Sequence, residues 1–427
     1  MKILMANSFH YYRGGDCIYT FQVTGLLQQM GDHKVVNFAM KHPLNLPCKY
    51  SEFFVPQIDF PKELAHRRLQ SGIRVLTRFI YSNVAMRNLS RLLDKYPVDI
   101  AHIQNIHGCI TPSIFEVLKA RNIPIVWTLH DYKLLCPNIA FFSKGEICEA
   151  CKSNKFYSAV LRKCRKDSCL ASFLVMIEAY IHRLLGLLKL VDFFITPSQF
   201  MRKKMIEYGF SPERVVHIPH FIDVKHFSPS LSTYSNDYIV YVGRLSYEKG
   251  ITTLIKSVLD LNSIKLLIVG DGPMRSVLEK QVGVDDQKNR IKFLGAFSNR
   301  NKLKNIIYGA AFVVFPSECY ETFGLAIVEG HALGKPVIGA NIGCIPELVK
   351  DGETGLLFEP GNADDLAEKI QWMVENPKER QAMGLRAREL VEKECNPELH
   401  YKRLIAVYET ALRKHGKGID ELLWKLR

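Results

Sequence analysis

The 427-residue chain contains no run of about 18 uncharged apolar residues, the length a helix needs to cross a bilayer. MKILMANS passes directly to Phe9, His10 and charged residues, and is expected to form a first strand rather than a signal peptide, so the expected location is cytoplasmic. A zinc-finger pattern, an RNA-binding signature and an interleaved basic–aromatic repeat are all missing. Lys and Arg (57) outnumber Asp and Glu (43), giving a net charge of +14, yet those absences leave nucleic acid the least favoured partner. Anionic lipid and anionic substrates remain. Eleven cysteines in a cytoplasmic chain point to free thiols or metal, not disulfides.

What is present is ordinary for a soluble globular protein: 47% hydrophobic and 23% charged residues, over a length that suits two to three domains. The most informative stretch is FPSECYETFGLAIVEGHALGKPVIGAN, residues 315–341. The apolar run 311–315 has the character of a buried parallel strand. A polar turn, 316–322, then gives way to an apolar helix over 325–333 that Gly334 and Pro336 stop, and to a strand over 335–340. Two carboxylates, Glu321 and Glu329, stand with seven residues between them, one just before the helix and one inside it. The crevice between the carboxyl end of a parallel strand and the following helix is where such sheets bind ligands, and the helix N-terminus there favours phosphate.

This stretch resembles the glutamate-pair signature of the retaining glycosyltransferases of family 4, enzymes of the two-domain GT-B fold that use nucleotide-sugar donors. The resemblance extends over nearly the whole chain and is most specific over residues 243–360. It implies an α/β molecule with two Rossmann-like, doubly wound domains facing across a cleft. Residues 1–225 would bind the acceptor and residues 238–395 the donor. Residues 226–237, polar with Pro and Ser, would link the domains. A helical tail, 396–427, would cross back to the first domain.

Residue by residue, the resemblance assigns Gly14 and Gly15, between a strand and a helix expected to end near Met30, to a loop facing the donor; Asp16 and Cys17 depart from the Ala or Val followed by Glu that the family often has there. His130, at the end of a strand over 123–129, would contact the sugar near its reacting carbon. Arg244 and Lys249, in GRLSYEKG, would bind the pyrophosphate. Glu329 would hold the ribose. Glu321, Phe323, Gly324 and Leu325 would orient the sugar and line the donor site, with His130 and Glu321 the catalytic pair. No Asp-x-Asp stands near a donor loop, so no catalytic metal and no cofactor are expected. The partners implied are a nucleotide sugar and a saccharide or lipid-linked saccharide acceptor. A nucleotide-sugar epimerase of the same fold and a non-catalytic nucleotide-sugar-binding protein are the alternatives.

Three further features belong to this chain. Between residues 136 and 169 the cysteines Cys136, Cys148, Cys151 and Cys164 have a spacing that permits tetrahedral zinc, with buried free thiols or a redox pair as the competing readings; no bound metal is expected. Residues 170–190 form an apolar helix interrupted by Glu178, His182, Arg183 and Lys189, expected to pack in the core. Residues 61–96 are helical in pattern and basic, with Arg67, Arg68, Arg74, Arg78, Arg87 and Arg91. They form either a solvated face or a surface for anionic lipid on the inner face of the cell membrane.

Overall fold

The computed structural model describes residues 1–57, 78–225, 227, 237–261, 264–286, 290–297 and 299–417. Two six-stranded sheets carry the architecture, and every strand pair in them is parallel. The first sheet contains β1 (Lys2–Ala6), β2 (Lys34–Phe38), β3 (Ile100–Ile103), β4 (Ile125–Thr128), β7 (Phe193–Thr196) and β8 (Val215–His217), in the order β2-β1-β3-β4-β7-β8. The second contains β9 (Tyr238–Val242), β10 (Lys265–Val269), β11 (Ile291–Gly295), β12 (Val313–Phe315), β13 (Val337–Ala340) and β14 (Gly355–Phe358), in the order β11-β10-β9-β12-β13-β14. A short antiparallel hairpin, β5 (Phe142–Ser143) and β6 (Glu146–Ile147), lies in the cysteine-bearing insertion.

At the centre of the sheets both faces are covered. β3, β4, β7 and β13 are buried at every position, and only continuous runs such as IVWT and FFIT satisfy that environment. In each sheet the order reverses beside its first strand, at β1/β3 and at β9/β12, and these reversals open the crevices that ligands use.

The C-terminal helix Pro397–Lys414 packs on the first sheet. Leu404, Tyr408 and Ala411 are buried with Ile3, Met5 and Val23, and the Tyr408 hydroxyl meets His102 Nδ1 at 2.6 Å. A small apolar cluster spans the two halves, joining Ile222 to Phe323, Val328 and Val391.

Two expectations need correction. The helix expected over 170–190 is Cys169–Leu184; Gly186 turns left-handed (φ +65°) and a 3-10 turn, Leu187–Leu190, follows. That helix is not packed all round. Its polar Ser172, Glu178 and His182 are buried while Leu170, Phe173 and Leu184 face outward.

Of the basic segment, Arg67, Arg68 and Arg74 lie outside the described residues, as does most of the expected linker 226–237. Arg78 donates to the Pro56 carbonyl at 2.8 Å and Arg91 lies over the Phe53 ring; Arg87 is exposed on the helix Asn83–Lys95.

Candidate active site at the order reversal of the second sheet

The site is built from the loops after β9 and β12, the strands flanking the reversal. They are tied to each other. The Glu318 amide donates to the Glu248 carbonyl at 2.9 Å, and Gly250 presses against the turn at Pro316. Gly250 has φ +65°, and a Cβ there would lie 1.9 Å from the Pro316 carbonyl oxygen, so only glycine lets the two loops meet.

That closeness sets Lys249 Nζ 2.6 Å from Glu321 Oε1, and the Ser317 hydroxyl donates to the same oxygen at 2.7 Å. Burial pulls the Lys249 ammonium toward neutrality. The Glu321 carboxylate beside it outweighs burial and raises its pKa, so the cation persists. Arg244 is exposed at the end of β9, and its side chain makes no hydrogen bond or ion pair among the described residues.

Glu321 is followed by Phe323, Gly324 and the helix Leu325–Ala332. Gly324 has φ +107°, a conformation that turns the chain into the helix and directs its free amides at the crevice. Phe323 is buried against His220, with ring centroids 5.1 Å apart, so its side chain serves packing. Glu329, nearly buried in the helix, pairs with Arg300 Nη2 at 2.5 Å. Burial raises the Glu329 pKa, with Arg300 opposing.

The first domain meets this face directly. Gly14 is extended (φ −166°) and precedes the helix Gly15–Gly31; a Cβ on Gly15 would stand 3.0 Å from Leu325 Cδ1. His130 follows β4. Its Nε2 lies 2.7 Å from Gln104 Oε1 and its ring stacks 5.3 Å from His220. Burial lowers the His130 pKa, partly offset by Asp16 and Asp131, which favours the neutral imidazole.

Two hydrogen bonds join the domains at the glutamate. The Tyr132 hydroxyl donates to the Glu321 carbonyl at 3.0 Å, and the Thr322 hydroxyl donates to the His130 carbonyl at 3.3 Å. The structure therefore brings His130, Gly15, Lys249, Glu321 and Leu325 to one crevice, leaves Arg244 at its exposed edge, and places Glu329 behind it.

Several residues here were not singled out in the sequence. Tyr132 and Thr322 are neighbours of the predicted pair, but only the meeting of two distant segments gives them a role. Arg300 begins the helix Arg300–Gly309, whose cap Asn299 accepts from the amides of Asn301 and Lys302; that cap was the available signal. Glu347 of the second half accepts from the amides of Gln199 (2.8 Å) and Phe200 (2.5 Å) at the start of a helix in the first half.

The insertion also borders the site. Glu149 accepts from the Tyr320 hydroxyl at 3.1 Å and from Lys204 at 2.8 Å, and Gly145 sits against Tyr247 of the β9 loop. Its cysteines Cys136, Cys148, Cys151 and Cys164 line one small cavity as free thiols. Among the described residues no group of three or more His, Cys, Asp or Glu is arranged to hold a metal ion.

Two parallel doubly wound halves closing over a cation-bearing crevice define the GT-B class. Known proteins agree on that fold. Anabaena HepE, solved in complex with UDP, superposes with a TM-score of 0.68 at 17% identity, covering 96% of this chain and 100% of that one. Sucrose-phosphate synthase from Thermosynechococcus elongatus also gives 0.68, at 20% identity, over 97% and 99%. The family model Glycosyltransferase Family 4 matches residues 18–226, and that of Glycosyl transferases group 1 matches residues 225–390. The chain belongs to the family 4 glycosyltransferases.

Among similar sequences, an uncharacterized glycosyltransferase of Methanocaldococcus jannaschii is 33% identical over 185 residues, 42% of this chain and 46% of that protein. The alpha-D-kanosaminyltransferase of Streptomyces kanamyceticus is 29% identical over 150 residues, 34% of this chain and 38% of that protein. The capsular polysaccharide biosynthesis glycosyltransferase CapM of Staphylococcus aureus is 26% identical over 284 residues, 64% of this chain and 70% of that protein. The chain thus spans less than half the length of the first two of these relatives.

Proposed function

We propose that this chain is a retaining glycosyltransferase. It would move a sugar from a UDP- or GDP-linked donor to a hydroxyl of a saccharide or lipid-linked saccharide, in cell-surface polysaccharide or glycolipid assembly at the cytoplasmic side of the membrane. The observation that carries the reading is the Lys249–Glu321 pair at the order reversal of the second sheet, facing His130 and the Gly14–Gly15 loop of the first.

Lys249, Arg244 and the amides opening the helix Leu325–Ala332 neutralise the departing diphosphate, the electrostatic role that often dominates catalysis and that here needs no metal. Glu329 holds the ribose hydroxyls, oriented by Arg300. His130 and Glu321 orient the sugar as positive charge develops at its reacting carbon. The bond from that carbon to the diphosphate breaks while the bond to the acceptor oxygen forms on the same face, and the acceptor proton passes to the departing phosphate.

A thermal-shift screen against UDP- and GDP-sugars tests donor binding. A true donor at about 100 times its Kd adds about 2.7 kcal/mol of stability. Absence of a shift with every such nucleotide sugar refutes donor binding, and an NMR spectrum showing inverted anomeric configuration in the product refutes retention.

A further inference from the structure

We propose that the outward face of the helix Cys169–Leu184 docks on the surface of an anionic lipid bilayer. Leu170, Phe173 and Leu184 are 69%, 46% and 85% exposed, and Leu174, Ile177 and Ile181 lie half-buried between them. At the helical repeat all six fall within roughly 100° of arc, one continuous stripe without a polar side chain.

The opposite face is the polar one, and it is turned inward. Glu178 pairs with Lys133 at 2.7 Å, and His182 Nε2 meets the Ile80 carbonyl at 2.7 Å. A helix facing water has the reverse arrangement, so this stripe is built for an apolar phase. The segment Phe156–Leu161, which ends in the one-turn helix Ser158–Leu161, packs on this helix through Phe156 and Tyr180, whose ring centroids are 5.3 Å apart, and adds exposed Tyr157 and Leu161.

Charge selects the occupant. Lys152, Lys155, Lys163 and Lys166 before the helix and Lys189 after it are exposed, with Asp167 the one acid in the stretch 152–167. A second copy of the chain would set these lysines against themselves. Residues 58–77 carry Lys62, Arg67, Arg68 and Arg74 against Asp59 and Glu63, again of like sign. An acidic lipid surface complements both the stripe and its rim. No helix among the described residues is long and apolar enough to cross a membrane, so the contact is an interfacial one. The inference is independent of the glycosyl-transfer reading, since it uses no residue of the crevice.

The test is flotation of the whole chain with phosphatidylcholine vesicles, with and without about 30% phosphatidylglycerol, at low and high salt. The chain should float with the acidic vesicles at low salt and stay behind with neutral ones. The triple variant Leu170→Ser, Phe173→Ser, Leu184→Ser should lower the bound fraction about tenfold or more while Tm stays unchanged, since these side chains face out. Lys163→Glu with Lys166→Glu should weaken binding at low salt. No flotation of the parent chain overturns the proposal. So does a triple variant that floats like the parent, because another surface then makes the contact. A dimer seen without vesicles and abolished by the triple variant would assign the stripe to a second copy and also overturn it.

Discussion

Replacing Glu321 by Gln keeps the shape of the side chain and removes its charge. In the folded chain that carboxylate stands 2.6 Å from Lys249 Nζ, with the glutamate side chain 13% and the lysine side chain 25% exposed. A hydrogen bond to a charged group contributes about 1.5–3 kcal/mol, and the lysine's partial access to water places the stability loss near the lower end. Catalysis should suffer more. If Glu321 and His130 tighten their hold as charge develops at the reacting carbon, losing either costs kcat about 100-fold or more, equal to about 2.7 kcal/mol of barrier. Affinity for the free nucleoside diphosphate should hold or tighten slightly, because Lys249 loses its counter-charge while keeping its place. Turnover, calorimetric affinity and Tm measured on Glu321→Gln and His130→Ala separate the possibilities. A normal kcat, or a loss confined to diphosphate affinity, refutes the catalytic assignment of that residue. A lowered Tm with unchanged kcat would make His130 a packing residue at the end of β4.

Three other outcomes are expected. Glu329→Ala should weaken nucleoside diphosphate binding by about 1.5–3 kcal/mol, the worth of hydrogen bonds to a charged group, and unchanged calorimetric affinity would remove the ribose role. Burial lowers the pKa of His102 and His331 to about 3 and of His400 to about 4, so all three are neutral in the folded chain and protonate near 6.5 when it unfolds. Below about pH 6.5 the unfolded state therefore binds more protons. Stability present above that pH should be lost on acidification toward about pH 4, at up to about 1.4 kcal/mol per pH unit for each histidine, and a Tm flat from pH 7 to 4.5 would contradict this. Metal analysis of protein purified without chelator should find no stoichiometric zinc; one zinc per chain, lost on Cys148→Ser, would show that the four thiols close on a metal.

The strands and helices of the second half were legible because their signals are local. An apolar run buried on both faces, a glycine at a turn and an asparagine cap such as Asn362, whose side chain accepts from the amides of Asp364 and Asp365, each act within a few residues. The long helix after the cysteine insertion shows the limit of that reading. Its composition announces a helix, but burial of Glu178 and exposure of Leu184 depend on which side meets the rest of the chain, and periodicity alone does not say which face of a mixed helix turns inward.

The sequence, through its likeness to family 4, implied two parallel α/β halves and nominated His130, Lys249, Glu321 and Glu329, because the motifs that carry that likeness are short segments placed just after strands. Only the tertiary structure decided what those side chains touch. Lys249 meets Glu321, 72 residues further on, because Gly250 lets their two loops press together. Tyr132 reaches the Glu321 carbonyl because the two sheets close on one another. Arg300 neutralises Glu329 because β11 delivers a helix start beside it. Such pairings depend on the distance between residues far apart in the chain, which packing of the whole molecule sets.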